Sequence, residues 1–212
     1  MNGSLQQADR TADTDDHSSL TAAVRMAAAG DRCAFEGLIE RFQGEIFRMV
    51  YYRTSSRMDA EDITQEVFIN AFRGVHSLKD PGMFRSWLYR IALNGVRDYY
   101  RKKRVRSIFT LFSREHNEEH VPDKDSGQEH GQDRLERKEF WDGLDRFMSR
   151  LSASEREVFR LKYLDDLSIR EITEVLGKNE STVKTHLYRA VDKFRKEQDV
   201  QGFLKGENYE YE

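Results

Sequence analysis

The sequence predicts an all-α protein made of two small helical domains that are joined by a flexible linker. Apolar residues recur at three- and four-residue spacing through most of the chain, as they do on the buried faces of amphipathic helices. No segment shows the strict apolar–polar alternation of a half-buried strand. The helical period is lost between residues 107 and 134, a polar and acidic stretch whose repelling charges favour an extended chain.

The predicted domain boundaries lie where this helical period begins and ends. We predict a first helical domain at residues 19–106 and a second at 135–200, with the acidic linker at 107–134 between them. Residues 1–18 are polar, acidic and without an apolar period, which predicts a disordered tail. Residues 201–212 are predicted to be a C-terminal tail.

The composition narrows the class of protein. Of the 212 residues, 38% are hydrophobic and 34% are charged, compared with about 25% charged in an average globular domain, which favours small helical units over one deep core. The single cysteine, Cys33, rules out a disulfide framework and fits a reducing compartment. No apolar run reaches the roughly 18–20 residues of a membrane span, and the first residues lack the apolar core of a signal peptide. We therefore expect a soluble, cytoplasmic protein that does not insert into a membrane.

Charge is sorted along the chain, although the net charge is only −3. Between Arg85 and Arg106 there are eight basic residues and one acid, whereas between Glu115 and Asp133 there are seven acids and one lysine. A polyanion responds to the local potential over a Debye length of about 8–10 Å rather than to the net charge. The basic segment is therefore a candidate nucleic-acid surface.

Four helices are predicted in the first domain. The first ends at Gly30, a residue favoured after helix C-termini, and Asp31 then caps the second. The third runs from Asp59 to Val75, and Pro81–Gly82 separates it from a fourth that begins near Met83. The residues predicted to face the core are Leu20, Ala23, Val24, Ala27, Phe35, Leu38, Ile39, Phe42, Ile46, Met49, Val50, Ile63, Val67, Phe68, Ala71, Phe84, Trp87, Leu88, Ile91, Ala92 and Leu93.

The second domain is predicted to end in a helix–turn–helix. Capping boxes begin at Ser152 and Ser168, where a serine and a glutamate three residues later satisfy each other's backbone donors. The helix that follows Ser168 ends at Gly177, and Asn179 caps a last helix over Glu180–Lys196. By itself such a hairpin leaves both DNA binding and a purely structural role open.

The fourth helix carries a polar and basic stripe. The residues close to positions i, i+4, i+7, i+11 and i+14 on it are Arg90, Asn94, Arg97, Arg101 and Arg104. Tyr99 and Tyr100 interleave with this stripe, and a basic track with aromatic platforms is typical of proteins that hold single-stranded nucleic acid. We expect Trp87 to lie in the core, whereas the two tyrosines leave base stacking and core packing equally open.

Acidic residues open the third helix. The carboxylates within its first eight residues are Asp59, Glu61, Asp62 and Glu66. The helix dipole explains acids at this end, and docking of a basic partner is the functional alternative. His116 and His120 lie four residues apart, but in the acidic linker, where we do not expect a metal site. The sequence has no phosphate-binding glycine loop, nucleophile elbow or HExxH motif, so we predict no catalysis, no metal and no cofactor.

Four segments in register resemble the extracytoplasmic-function (ECF) group of bacterial RNA polymerase sigma factors. They are Asp59–Phe72 (DAEDITQEVFINAF), Phe84–Tyr100 (FRSWLYRIALNGVRDYY), Leu151–Gly177 (LSASEREVFRLKYLDDLSIREITEVLG) and Ser181–Phe194 (STVKTHLYRAVDKF). The resemblance covers about residues 19–106 and 135–197. It implies a sigma region 2 helical bundle and a sigma region 4 helix–turn–helix in an alternative sigma factor, a non-catalytic specificity subunit that directs transcription initiation.

The resemblance also assigns residues to three surfaces. Those implied to bind core RNA polymerase are Asp59, Glu61, Asp62, Gln65 and Glu66. Those implied to hold the melted −10 promoter strand are Phe68, Ser77, Lys79, Arg90, Asn94, Arg97, Arg101 and Lys102. Those implied to contact the −35 duplex are Ser181, Thr182, Lys184, Thr185, His186, Arg189 and Lys193. Asn94 matches the position of the base pocket, and His186 stands where many family members have Arg.

The partners implied by the resemblance are core RNA polymerase, promoter DNA and an anti-sigma protein that wraps between the two domains. Two other functions stay open. One is a helix–turn–helix regulator that binds operators without core polymerase. The other is a helical adaptor that binds no DNA, in which the basic stripe of the fourth helix has no function.

Overall fold

A computed structural model of the chain describes residues 18–112 and 131–196. Every regular element in these residues is helical, which confirms the predicted all-α class. The chain divides into two compact units, Met1–Asp123 and Lys124–Glu212, so the prediction of two helical domains is also confirmed.

Four helices and two short 3₁₀ turns make up the described part of the first unit, residues 18–112. The helices are α1 (residues 18–28), α2 (Arg32–Thr54), α3 (Arg57–Gly74) and α4 (Phe84–Phe112), and the turns are Val75–Ser77 and Pro81–Met83. Gly30 has a φ of 100° and directs the chain from α1 into α2, where the Asp31 carboxylate accepts the Ala34 N–H at 3.1 Å. The predicted helix end and cap are therefore confirmed.

The core of the first unit lies between α2, α3 and α4, which pack on one another. The side chains from these helices that are at most 2% exposed include Leu38, Phe42, Ile46, Met49, Val50, Val67, Ala71, Phe84, Leu88, Ala92 and Leu93. A polar cluster also joins α2 to α4, because Glu45 Oε2 accepts hydrogen bonds from Arg85 and from the Tyr89 hydroxyl, each at 3.2 Å. Five predicted core residues are only half-buried, namely Leu20, Ala23, Ile39, Trp87 and Ile91.

The second unit contains α5 (Gly131–Arg150), α6 (Ala153–Phe159), α7 (Ile169–Leu176) and α8 (Glu180–Arg195). Both predicted capping boxes are present, at Ser152 and Ser168. Leu167 and Ile172 flank the second cap and are fully buried, as expected of a hydrophobic staple. The sequence did not predict the single π-helical turn at Arg160–Leu164 between α6 and α7.

Helical structure extends into the predicted linker at both ends. Helix α4 continues to Phe112, and α5 already begins at Gly131, so residues 107–112 and 131–134 of the predicted linker are helical. A helix that has already formed gains one hydrogen bond for each residue added, and residues 107–112 contain no Pro or Gly to stop it. His116 and His120 lie outside the described residues, as do the tails at 1–17 and 197–212; Ser18, predicted as part of the tail, already lies in α1.

None of the helices in the described ranges combines the length and the apolar character needed to cross a bilayer.

Gly177 ends α7 with a φ of 61°, and a Cβ added there would meet no atom within 4 Å. Any effect of Gly177→Ala should therefore come from the left-handed backbone, which costs an L-residue about 1–2 kcal/mol. We expect this variant to lower the free energy of unfolding of the second unit by that amount, as measured by hydrogen exchange of α7 and α8 peptides in the full chain.

Gly143→Ala is the matched control. An added Cβ would also meet nothing within 4 Å there, but Gly143 lies inside α5 with no positive φ. Because alanine is the better helix former, we expect this variant to be neutral or stabilising by about 0.5–1 kcal/mol. Equal losses from both substitutions would contradict the role given to the left-handed turn.

Candidate functional site

An acidic surface lies on α3. Asp62, Gln65 and Glu66 are exposed, and none of them has an ion pair within the described part of the chain. Glu61 is also exposed but pairs with Arg57 of the same helix at 3.0 Å. The structure therefore brings four of the five predicted polymerase-binding residues to one exposed helix face.

Asp59, the fifth of these residues, is placed differently. It is half-buried, and its Oδ2 accepts a hydrogen bond from the Tyr99 hydroxyl of α4 at 2.9 Å. Desolvation, together with this hydrogen bond, raises the pKa of Tyr99 to about 12, so the hydroxyl keeps its proton and remains a donor at neutral pH. Asp59 thus joins α3 to α4, a contact that spacing along the sequence could not show.

A groove of about 1010 Å³ runs between α2 and α3 beside the acidic surface. Its aromatic and aliphatic lining consists of Phe35, Ile39, Phe47, Phe68, Ile69 and Phe72. Phe72 and Ile69 are 47% and 44% exposed, whereas Phe68 is buried. Glu61 and Gln65 line the same groove, so it is continuous with the acidic surface.

The family resemblance implied that Phe68 contacts the −10 strand, and this groove was not predicted from the sequence. The available signal was the pair Ile69 and Phe72, apolar residues that fall outside the inward stripe of α3. The structure places Phe68 in the groove with residues of α2.

Helix α4 displays the predicted basic track. Arg90, Asn94, Arg97, Arg101 and Lys102 are all exposed. Asn94 Oδ1 accepts a hydrogen bond from Arg97 at 3.3 Å, and Arg101 pairs with Asp98 at 3.1 Å, with both side chains more than half exposed. These are solvent-accessible contacts within one helix, which other partners can replace at low cost.

Three aromatic residues hold α4 against the rest of the first unit. Tyr99 donates to Asp59, as described, and the Tyr100 hydroxyl donates to the carbonyl oxygen of Arg53 in α2. The Trp87 ring lies so close to Gly74 that an added Cβ there would be 3.2 Å from it. These three aromatic residues therefore anchor α4 to α2 and α3.

The connection between α3 and α4 carries the predicted residues Ser77 and Lys79, both exposed. The Ser77 hydroxyl donates to the Gly74 carbonyl oxygen at 2.7 Å, and the Asp80 carboxylate accepts the Gly82 N–H at 3.0 Å. These local hydrogen bonds shape the loop at the start of the basic helix.

The predicted duplex-reading residues on α8 fall into two groups. Ser181, Lys184, Thr185 and Arg189 are exposed, whereas Thr182 and His186 are half-buried. The exposed face also includes a residue that the predicted set omitted, Tyr188, whose side chain is 69% exposed. Lys184 pairs with Glu180 at 2.6 Å, and this hydrogen bond raises the pKa of Lys184.

Lys193 contacts the inside of the second unit. Its ammonium group donates to Glu155 Oε2 at 2.6 Å, and the Glu155 side chain is only 7% exposed. Lys193, followed by the Ser152 backbone N–H, lowers the pKa of Glu155 to about 2. The pair ties α8 to the start of α6, so a lysine that was predicted to contact DNA holds the fold together.

Within the described ranges, no three His, Cys, Asp or Glu side chains are grouped so that they could hold a metal ion. Cys33 is exposed and is not in a disulfide.

Comparison with known proteins relates each unit to a family. Residues 38–106 match Sigma-70 region 2, and residues 142–194 match Sigma-70, region 4. The chain is similar to the ECF RNA polymerase sigma factor BldN of Streptomyces coelicolor, with 33% identity over 184 residues that cover 86% of this chain and 67% of BldN.

Two solved structures share the fold. One is CnrH in complex with the cytosolic domain of CnrY, with a TM-score of 0.60 and 23% identity, covering 90% of this chain and 99% of the other. The second is the sigma factor RpoE in complex with the anti-sigma factor NepR from Bartonella quintana, with a TM-score of 0.58 and 20% identity, covering 78% of this chain and 97% of the other.

The Glu155–Lys193 pair predicts a pH dependence of stability. Because the pKa of Glu155 is lowered in the folded chain from 4.5 to about 2, its contribution is fully present above about 4.5 and is lost as the pH falls toward 2. Glu155→Gln should lower the stability of the second unit by about 1.5–3 kcal/mol at pH 7, as is typical of a hydrogen bond to a charged group.

Hydrogen exchange of α6 and α8 peptides in the full chain measures this difference. The difference in stability between wild type and Glu155→Gln should shrink as the pH falls from 4.5 to 2, because the Glu155 carboxylate of the wild type then takes up a proton. Glu174→Gln, an exposed site in the same unit, is the control and should change little. A deficit of Glu155→Gln that stays constant with pH would refute the assignment.

Proposed function

The chain belongs to the ECF group of bacterial RNA polymerase sigma factors, which are alternative sigma factors that direct transcription, and we propose that three of its surfaces divide this task. Helix α3 binds core RNA polymerase, α4 holds the melted −10 promoter strand, and α8 reads the −35 duplex. The observation that carries the proposal is the arrangement of the first unit, where an unpaired acidic face and an exposed basic track lie on two helices joined by Asp59 and Tyr99.

The polymerase-binding surface combines charge with apolar area. Asp62, Gln65 and Glu66 offer exposed acceptors, and the adjoining groove offers Ile69 and Phe72, each more than two-fifths exposed. A basic polymerase segment that also carries apolar side chains fits both features. We therefore extend the proposed surface from the acids of α3 to the groove between α2 and α3, which includes Phe68.

The −10 strand is proposed to lie along Arg90, Asn94, Arg97, Arg101 and Lys102, with Ser77 and Lys79 at the start of the track. Base stacking in duplex DNA is worth about 1.4 kcal/mol per step, so opening five steps costs roughly 7 kcal/mol. Holding one flipped base returns only a few kcal/mol. The protein is therefore proposed to trap a strand that the polymerase helps to expose, as a non-catalytic specificity subunit.

The −35 duplex is proposed to contact the exposed face of α8 through Ser181, Lys184, Thr185 and Arg189. Short polar and basic groups near a helix N-terminus suit base edges and phosphates. Thr182 and His186 are half-buried and are placed at the border of this contact. Lys193 is assigned to the fold rather than to DNA, because its ammonium group is bound to Glu155.

An anti-sigma protein is proposed as the regulatory partner. The support is the similarity in fold to RpoE, which is bound to the anti-sigma factor NepR. With a net charge of −3, the free protein should bind DNA weakly, because non-specific affinity depends on the number of phosphates neutralised. Because promoters are in the cytoplasm of bacteria, we propose that the protein acts there. The proposed extents of regions 2 and 4 are residues 19–106 and 135–200.

Asp62→Lys tests the polymerase surface. Reversing an unpaired, exposed charge should repel the basic polymerase segment and lower the affinity for core RNA polymerase by at least about tenfold, since like charges that face each other across an interface cost several kcal/mol. Binding is measured by fluorescence anisotropy with the labelled full chain. Glu40→Lys, the same change at an exposed site on α2, should bind normally.

The same variant distinguishes a sigma factor from an operator-binding regulator. Loss of core binding and of promoter-specific run-off RNA supports the proposal. Unchanged core binding, or tight and specific promoter binding by the free wild-type protein, would instead favour a regulator that acts without polymerase.

Arg97→Glu tests the basic track. The substitution removes one phosphate contact and puts a negative charge in its place. It should reduce the yield of open promoter complexes by roughly tenfold while the affinity for core polymerase is unchanged. Permanganate footprinting of melted thymines measures the opened strand. Arg25→Glu, an exposed site on α1, is the charge-matched control. An unchanged yield of open complexes with Arg97→Glu would support the adaptor function, in which the basic residues of α4 do not bind DNA.

A further inference from the structure

The exposed face of α8 forms a continuous stripe. Its residues at positions i, i+3, i+4, i+7 and i+8 are Ser181, Lys184, Thr185, Tyr188 and Arg189, and all of them are exposed. Val183 and Ala190 on the opposite side are fully buried in the second unit. The burial of these two residues fixes which side chains α8 presents to a partner.

Tyr188 is the aromatic member of this stripe. It is 69% exposed, more than any other large apolar or aromatic side chain in residues 18–105 and 141–196. In these ranges it has neither a hydrogen bond nor a contact with another ring. By comparison, Tyr163 is 38% exposed and its ring packs on Phe159 at 4.7 Å. Most of the Tyr188 side chain is therefore open to a partner.

The polar groups beside Tyr188 already have partners. The Ser181 hydroxyl donates to Asn179 Oδ1 at 3.0 Å, and the Thr185 hydroxyl donates to the Ser181 carbonyl oxygen at 2.8 Å. Lys184 is paired with Glu180 at 2.6 Å. Because both hydroxyl protons are used inside the helix, the exposed side chains on this face that have no partner within the described residues are Tyr188 and Arg189, and Tyr188 is the aromatic one.

The major groove of duplex DNA offers one apolar group to such a ring, the 5-methyl group of thymine. We propose that Tyr188 is a sequence-reading residue whose ring packs against this methyl group at one position of the −35 element, between the phosphate contacts of Lys184 and Arg189. This inference rests on the proposed function, in which α8 enters the −35 duplex.

Replacement of single thymines by uracil tests the proposal, since uracil differs only by the missing methyl group. Core RNA polymerase reconstituted with the full chain is first given a promoter selected from a library, and each thymine of the −35 element is then replaced in turn. At one position the wild-type holoenzyme should lose affinity about fourfold, the value of one buried methyl group. Uracil in the spacer between the two elements should have no effect.

Variants of Tyr188 complete a double-mutant cycle between the tyrosine ring and the thymine methyl group. Tyr188→Ala should bind the thymine template about fourfold more weakly than wild type and should not respond to uracil at that position, whereas Tyr188→Phe, which keeps the ring, should match wild type. An unchanged melting temperature would confirm that Tyr188→Ala is folded, as expected for so exposed a site.

Two results would overturn the assignment. One is a uracil response that is the same in wild type and Tyr188→Ala at every position. The other is a Tyr188→Ala variant that keeps the thymine response but binds an anti-sigma protein more weakly, which would assign the ring to a protein interface. If the wild-type chain directs no start-site-specific RNA from the unmodified library, the proposed function itself fails, and this inference fails with it.

Discussion

The common core of α2, α3 and α4 is the constraint on which the surfaces of the first unit depend. Leu88 of α4 is fully buried and Val67 of α3 is 2% exposed, so the opposite faces of both helices are fixed toward solvent. One of these faces is acidic and the other basic, and opposite charges on neighbouring helices attract each other. Tyr99 stands between them, because its hydroxyl donates to Asp59 at 2.9 Å and lies 3.4 Å from the Lys103 ammonium group.

This position makes Tyr99 a neutral spacer between charges. Since its pKa is about 12, the phenol stays protonated at neutral pH, donates to Asp59 and accepts a hydrogen bond from Lys103. Asp62 and Glu66 on the acidic face are exposed and have no ion pair within the described residues, and the residues of the basic track on α4 are exposed as well. Two surfaces of opposite charge therefore coexist in one small unit.

The features that were predicted correctly are those set by residues close together in sequence. Helix caps, such as Asp31 and Ser168, depend on groups three residues away, and the apolar stripes depend on helical spacing. The features that were missed join distant residues: Asp59 with Tyr99 over 40 positions, and Glu155 with Lys193 over 38. Local periodicity carries no information about which helix faces meet.

The same limit explains the errors at the predicted site. Whether a polar residue at the edge of a helix faces solvent depends on how the packed helix is rotated about its axis, and the step of about 100° from Thr185 to His186 takes the side chain from an exposed to a half-buried position. The groove between α2 and α3 requires Phe47 and Phe72 to lie on its two walls, which only the packing of the two helices determines.

Exposure also decides which of the charged residues can exchange their present partners for DNA. Arg101 and Asp98 are 73% and 54% exposed, and such a surface pair contributes about 0–1 kcal/mol, so a phosphate replaces Asp98 at little cost. Lys193 is bound to a glutamate that is only 7% exposed, and its withdrawal would break a hydrogen bond between two charged groups, which typically contributes about 1.5–3 kcal/mol. Moving Lys193 to a phosphate therefore costs more than moving Arg101. The sequence gives Arg101 and Lys193 the same chemical character, but the structure makes only Arg101 available to a nucleic acid.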